Sequence, residues 1–273
     1  MLLKNNLEKI LVKSVLVIGG ILVSLPFFWM LLGSFKTDDE ILRIPPTIFP
    51  ENPIIQNYIN LFTNLNFDVY LINTLIIVAW SMLGLLFNTM AGYGFGKFQF
   101  RGKEIWFMIV LSTMMLPGQI TMIPTYLIIN ELGFVNTMTG IVLPGLIAAF
   151  QIFLIRQFMV TIPDDLIEAA RLDGAGEAYI FLRLIIPLSK PILAVQVILT
   201  FIQSWNSFVW PLIIANDQSL YTLSVGLSLL QDQHTVDYGL QMAGAAIMVV
   251  PILVVFTIFQ RHIVEGFNVS GIK

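Results

Sequence analysis

Six stretches of roughly 20 apolar residues constrain this chain more than anything else in it. They run at about Val15–Phe35, Val69–Gly92, Ile105–Pro124, Gly140–Val160, Ile192–Ile214 and Met242–Phe259. Each is long enough to cross the ~30 Å hydrocarbon core of a bilayer as a helix. Inside that core every backbone N–H and C=O needs an internal partner, and long Leu/Ile/Val/Phe runs meet this as helices rather than as short alternating barrel strands. Only 11% of the 273 residues are charged, against about 25% in a soluble domain. The expected fold is therefore all-α: a polytopic membrane protein with six transmembrane helices.

Lys and Arg orient it. With both termini inside, all of the fourteen except Lys36 and Arg43 fall on inner segments, as the excess of basic residues on cytoplasmic loops requires. The basic leader with Lys4, Lys9 and Lys13 precedes an apolar run too long for a signal-peptide core and without a small-x-small cleavage site, so it reads as a retained anchor. Residues 1–66 then form an anchor helix and an outer loop rich in Pro and Asn, with a short helix near Ile54–Phe62. Residues 67–262 form the membrane core, and 263–273 a flexible cytoplasmic tail.

The second half of the chain carries one charge-rich segment, Glu168 to Pro191. Pro163 suits the first turn of a helix, and Asp164 and Asp165 complement the positive end of its dipole. Leu166, Ala169 and Ala170 make a narrow apolar face, and Gly174 suits the left-handed residue that ends a helix. A second short helix follows, with Ala178, Phe181, Leu182 and Ile185 on one face and Pro187 and Pro191 closing it. The basic-residue count puts this loop in the cytoplasm.

Breaks and polar side chains mark the spans. Pro117–Gly118 interrupts the third, Pro144–Gly145 the fourth, Pro211 the fifth and Pro251 the sixth; interrupted spans are common in transporters. Gly92 and Gly96 have the spacing of close helix packing. The adjoining Gly92-Tyr93-Gly94 suggests a channel filter, but it leads into Lys97, Arg101 and Lys103 on the inner side, where a filter entered from outside would not lie. Gln119, Gln151, Gln203, Trp205 and Asn206 suit either interhelical hydrogen bonding or a path for a neutral, hydroxyl-rich solute, with indoles for sugar-ring faces. No span holds a clear central acid or base, which argues against proton or sodium coupling.

Enzyme chemistry is missing. There is no phosphate-binding loop, no cysteine, and His234 and His262 lack metal-ligand spacing, so no cofactor or metal is expected. Energy for transport would have to come from a partner.

The pattern Glu168-Ala169-Ala170, Asp173-Gly174-Ala175, then Phe181, Pro187 and Pro191 resembles the EAA loop of ABC importer permeases. GYGFGKFQFRGK (92–103), LPGLIAAFQIFLIRQFM (143–159), WNSFVWPLI (205–213) and the terminal FQRHIVEGFNVSGIK (259–273) extend the resemblance to the smaller permease subunit of maltose-type carbohydrate importers. The resemblance implies that Glu168, Ala169, Ala170, Asp173, Gly174 and Ala175 couple to an ATPase. The implied partners are a second homologous permease, two ATP-binding cassette ATPase subunits, an extracytoplasmic solute-binding protein, a carbohydrate substrate and membrane lipid, with no nucleic acid. Alternatives are the same machinery for glycerol-3-phosphate or a polyol, or a non-transporting scaffold for an ATPase.

Overall fold

The computed structural model describes residues 2–230 and 237–269, with side chains for 8–230 and 237–260. His234, the side chain of His262 and the last four residues of the expected tail lie outside the described residues. Every regular element among the described residues is helical. Five helices are long and apolar enough to cross a membrane: Glu8–Gly33, Phe67–Lys97, Met138–Thr161, Lys190–Ile214 and Tyr238–Gln260. A pair, Lys103–Thr113 and Gly118–Glu131, makes a sixth span if counted as one, and it is bent by 101°.

That bend falls at Pro117–Gly118, where the third span was expected to be interrupted, and carries its second helix to Glu131, beyond the expected end at Pro124. Pro117 is extended (ψ 133°) at the start of the second helix, whose interior contains Pro124. Its ring has no N–H to continue the first helix, and it restricts the residue before it. The fourth span is interrupted as expected, with a single 3-10 turn over Leu143–Gly145 before the helix Ala149–Thr161 begins. The fifth breaks earlier than Pro211 suggested. Lys190–Trp205 ends, and Val209–Ile214 starts after three residues. Pro211 sits in the first turn of that second helix, where N–H groups have no intrahelical partner. Pro251 does not end its helix, which runs from Tyr238 to Val269 and so takes in residues 263–269 of the expected tail; extending a nucleated helix costs little per residue.

Two compact units divide the chain, 1–67 with 227–249, and 68–226 with 250–273. In the first, the apolar stretch Glu8–Gly33 of the helix Leu2–Gly33 has none of its most apolar window buried. Beyond it, the Asn57 side-chain amide donates to the carbonyls of Ser34 and Lys36, both at 2.9 Å. Ser34 Oγ and Tyr58 OH are 2.8 Å apart. These bonds pack the short helix Gln56–Asn64, expected near Ile54–Phe62, onto the end of the first span. Lys36 is buried, reaches Thr47 Oγ1 at 3.0 Å, and faces Glu40 and the Trp29 ring.

The second unit is built on a ridge. Gly84, Asn88, Gly92 and Gly96 recur every fourth residue along Phe67–Lys97. A Cβ at Gly92 would lie 2.6 Å from Ile155 Cγ2, and one at Gly96 2.7 Å from Met159 Cβ. The helix Ala149–Thr161 therefore lies in van der Waals contact with a surface that has no side chains, an approach only glycine permits. Below the ridge, Leu85, Tyr93, Ile155, Met159, Ile162, Ile167, Ile180, Phe181 and Ile185 form one buried cluster.

Candidate functional site

Two regions of the second unit carry the chemistry. The first is the polar segment. Pro163 stands just before the helix Asp164–Leu172 rather than within its first turn. The helix ends in a Schellman motif: Ala175 N donates to Ala170 O and Gly174 N to Arg171 O, both at 3.0 Å, with Gly174 at φ +82°. Two otherwise orphaned carbonyls are thereby satisfied, and the chain reverses. Arg171 Nε then donates to Glu177 Oε1 at 2.7 Å, tying the two short helices together.

The inner face of this helix differs from the expected Leu166, Ala169 and Ala170. Ile167 is buried at 3% exposure and Ala170 packs against the same cluster. Leu166 is 44% and Leu172 89% exposed, with Glu168, Ala169, Asp173 and Gly174 also on the outside. A leucine so exposed costs hydrophobic free energy unless something covers it. Ile167 and Leu172 were missed by sequence reasoning, although their spacing from Ala170 and Ala169 is the ordinary helical signal. The second short helix is also rearranged. Residues 180–185 adopt a π-helix that buries Ile180, Phe181 and Ile185 and leaves Ala178 and Leu182 exposed. The wider turn ends with Ile186 N bonded to Phe181 O, immediately before Pro187, which has no N–H to offer.

The root of the loop is clamped. Lys97 Nζ, at the end of the second span, donates to Ile162 O and, at 2.6 Å, to Asp164 Oδ1. The hydrogen bond from Lys97, reinforced by its charge, holds the Asp164 carboxyl below the usual carboxylate range. Nearby, the Arg156 guanidinium lies 4.4 Å from the centroid of the Phe107 ring and 3.8 Å from Glu104.

The second region is a cleft of about 580 Å³ at the helix breaks. Gln119 reaches it from the bend at Pro117–Gly118, Gln151 from the helix after the fourth-span interruption, and Gln203, Ser204 and Ser207 from either side of the fifth-span break. Trp210 lines it too, its indole N–H donating to Gly140 O at 3.1 Å. No ionisable side chain is among its described lining residues. Three of the five expected path residues are thus brought together. Trp205 and Asn206 are not part of the lining: Trp205 is 2% exposed and stacks on Phe201, and the Asn206 amide turns back to Ile202 O at 3.0 Å. The break after Trp205 redirects the chain, so the second indole, Trp210, takes the place expected for the first.

A short polar chain runs away from the cleft. Gln151 Nε2 donates to Thr200 Oγ1 at 2.9 Å, and Asn88 Nδ2 donates to Gln151 Oε1 at 2.7 Å. Asn88 Oδ1 also accepts from Ala148 N at 3.2 Å, in the fourth-span interruption. Asn88, a buried amide on the glycine ridge, therefore ties the second span to the fourth, and Gln151 carries the chain on to the fifth.

Interrupted membrane helices around a neutral polar cleft, with an amphipathic polar loop clamped beside them, define an integral membrane protein of the solute-translocating kind. The chain belongs to the family of binding-protein-dependent transport system inner membrane components, whose description matches residues 88–269. It is 34% identical over 252 residues to the arabinooligosaccharides transport system permease protein AraQ of Halalkalibacterium halodurans, covering 91% of this chain and 90% of that one. It is 31% identical to the lactose transport system permease protein LacG of Rhizobium radiobacter, covering 97% and 96%. It is 29% identical to the sn-glycerol-3-phosphate transport system permease protein UgpE of Brucella abortus, covering 92% and 93%. A chain from the crystal structure of a bacterial ABC transporter involved in the import of the acidic polysaccharide alginate shares the fold, with a TM-score of 0.82, 22% identity, and 94% and 97% coverage.

Proposed function

We propose that this multi-pass membrane protein is a permease subunit of an ATP-driven, binding-protein-dependent importer of a sugar or oligosaccharide, with both termini in the cytoplasm. The observation that carries the reading is the cleft. Its polar lining consists of amides and hydroxyls with one indole, and no charge. Such a surface exchanges hydrogen bonds with a neutral polyhydroxylated solute without demanding a counter-charge, and the indole offers an apolar plate to a ring face. Relatives named for arabinooligosaccharide and lactose transport support a carbohydrate. A relative named for sn-glycerol-3-phosphate keeps a second reading open. The uncharged lining disfavours it, since a phosphate ester calls for Arg or Lys.

In this reading the loop over residues 163–186 is the coupling element. Glu168, Ala169, Asp173 and Gly174, with the exposed Leu166 and Leu172, offer the surface to an ATP-binding cassette subunit, while Ala170 and Ala175 seat the helix. A second homologous permease completes the path, two ATPase subunits supply hydrolysis, and an extracytoplasmic binding protein delivers solute. The test is reconstitution of the chain with the permease, ATPase and binding protein encoded beside it. Uptake of a neutral oligosaccharide, but not glycerol-3-phosphate, is expected to need ATP. Uptake of the phosphate ester alone would establish the second reading, and an assembled complex that binds the ATPase but moves no solute would reduce the chain to a scaffold.

A further inference from the structure

Lys97 stands out once the rest of the second unit has been accounted for. Its side chain is 4% exposed although it ends a membrane span, and both of its hydrogen-bond acceptors, Ile162 O and Asp164 Oδ1, lie at the root of the 163–186 loop. A lysine at such a boundary ordinarily extends its ammonium into water. Here it is turned onto another element, where directional, charge-assisted bonds hold it.

We propose that Lys97 is a positioning residue for energy coupling, and that it makes the second span the lever through which movement of the loop reaches the cleft. The inference rests on the reading of the 163–186 loop as the coupling element. Ile167 seats the loop helix by apolar contact, which resists separation but allows sliding. The Lys97 bonds resist sliding as well, because displacing Asp164 or Ile162 breaks them. From Lys97 the span returns through Gly96 and Gly92, in close contact with Met159 and Ile155, to Asn88. At 1.5 Å per residue, Asn88 is about 13 Å along the helix from Lys97. Its amide holds Gln151, a cleft residue, which in turn donates to Thr200. One rigid helix thus has the loop's root bonded at one end and a cleft side chain bonded nine residues away. A loop tied to the core only through its flanking chain would act on the fourth and fifth spans alone.

The experiment compares wild type, Lys97→Arg, Lys97→Gln and Lys97→Met in the reconstituted four-subunit transporter. Solute taken up per ATP hydrolysed is measured only on complexes that have co-purified with the ATPase, so differences in folding yield do not enter. Lys97→Arg keeps both bonds and is expected to retain the wild-type ratio within about two-fold. Lys97→Gln keeps a donor for Ile162 O but loses the ion pair, and the ratio is expected to fall by about 3-fold. Lys97→Met loses both, with an expected fall of about 10-fold while ATP hydrolysis continues. Asp164→Asn in place of the Lys97 substitution is expected to resemble Lys97→Gln. A wild-type ratio in Lys97→Met, or a loss in Lys97→Arg equal to that in Lys97→Met, overturns the proposal and leaves the coupling-loop reading intact. If wild-type protein retains no ATPase, the underlying reading fails and the proposal with it.

Discussion

The loop and the cleft are both polar regions in an apolar protein, but opposite means hold them in place. The loop is charged and exposed, and it is fixed by a few discrete devices: the buried Ile167, the left-handed Gly174, the Arg171–Glu177 pair and the Lys97 clamp. The cleft is neutral and enclosed by four interrupted or packed spans, and no single residue builds it. Charge can be concentrated at the loop because water is available there. In the cleft, an unpaired charge would pay a desolvation penalty of several kcal/mol, so neutral amides and hydroxyls do the polar work. The difference teaches that one region is specified locally and the other by assembly.

Substitutions that separate the two should differ in kind as well as size. The largest effect is expected where both regions depend on one contact. Gly92→Val would place methyls where Ile155 Cγ2 already leaves only 2.6 Å for a Cβ. Overpacking of this kind typically costs about 1–3 kcal/mol, and the glycine ridge serves loop and cleft together, so folded protein recovered in detergent should fall by more than half. Normal yield and melting temperature would show that the ridge is not a shared support.

Gly174→Val should follow, acting on the loop alone. A side chain at φ +82° costs roughly 1–2 kcal/mol, more when β-branched. Span packing should survive while stimulated ATP hydrolysis and uptake drop about 10-fold. Loss of pairing with a sister permease would mean that the turn is not a local device. Gln151→Leu acts on the cleft. It removes the side chain that Asn88 Nδ2 and Thr200 Oγ1 share, leaving Asn88 its bonds to Leu146 O and Ala148 N, at about 0.5–1.5 kcal/mol for a lost hydrogen bond. Uptake should fall about 5-fold with ATPase binding unchanged, measured by co-purification.

A smaller contrast sharpens the reading of the aromatic pair. Trp210→Phe should lower uptake by about 2- to 3-fold with only the small fall in melting temperature that the lost bond to Gly140 O brings, whereas Trp205→Phe should lower the melting temperature at unaltered uptake. The reverse result would return Trp205 to the path. The smallest effect concerns pH. The hydrogen bond from Lys97, with its charge, holds the Asp164 carboxyl below the ordinary carboxylate range. A depressed carboxylate contributes its stability above the unfolded pKa and loses it as pH falls through the folded one. The clamp should therefore be insensitive between pH 5 and 8 and weaken only below about pH 4, and a coupling ratio that changes near pH 6 would indicate another group.

Much of the loop could be read from residue order, because its structure is made of neighbours. Gly174 ends its helix through bonds to Ala170 and Arg171, and Asp164 and Asp165 lie in the first turn, all within one short segment. The same locality made the number and approximate extent of the apolar spans legible, since membrane insertion depends on hydropathy along a single stretch. Helix breaks were readable where Pro or Gly causes them directly, as at Pro117 and Pro144. They were misplaced in the fifth span, where nothing local announces that Trp205 ends a helix.

Residue order alone therefore settled the class of fold, the family resemblance and much of the chemistry available: amides and hydroxyls in the spans and a charge-rich loop in the second half of the chain. Tertiary structure decided which of those groups meet. Asn88 and Gln151 are 63 residues apart and Lys97 and Asp164 are 67 apart, so no local spacing pairs them; a glycine ridge close enough to bring two helix backbones together does. It also decided that Trp210, and not Trp205, faces the cleft, because the direction of a side chain after a helix break depends on the packing of both halves. The physical reason is range: propensity and hydropathy act over a turn or a span, whereas a site in a helical bundle is formed by side chains that share a place only after the helices have packed.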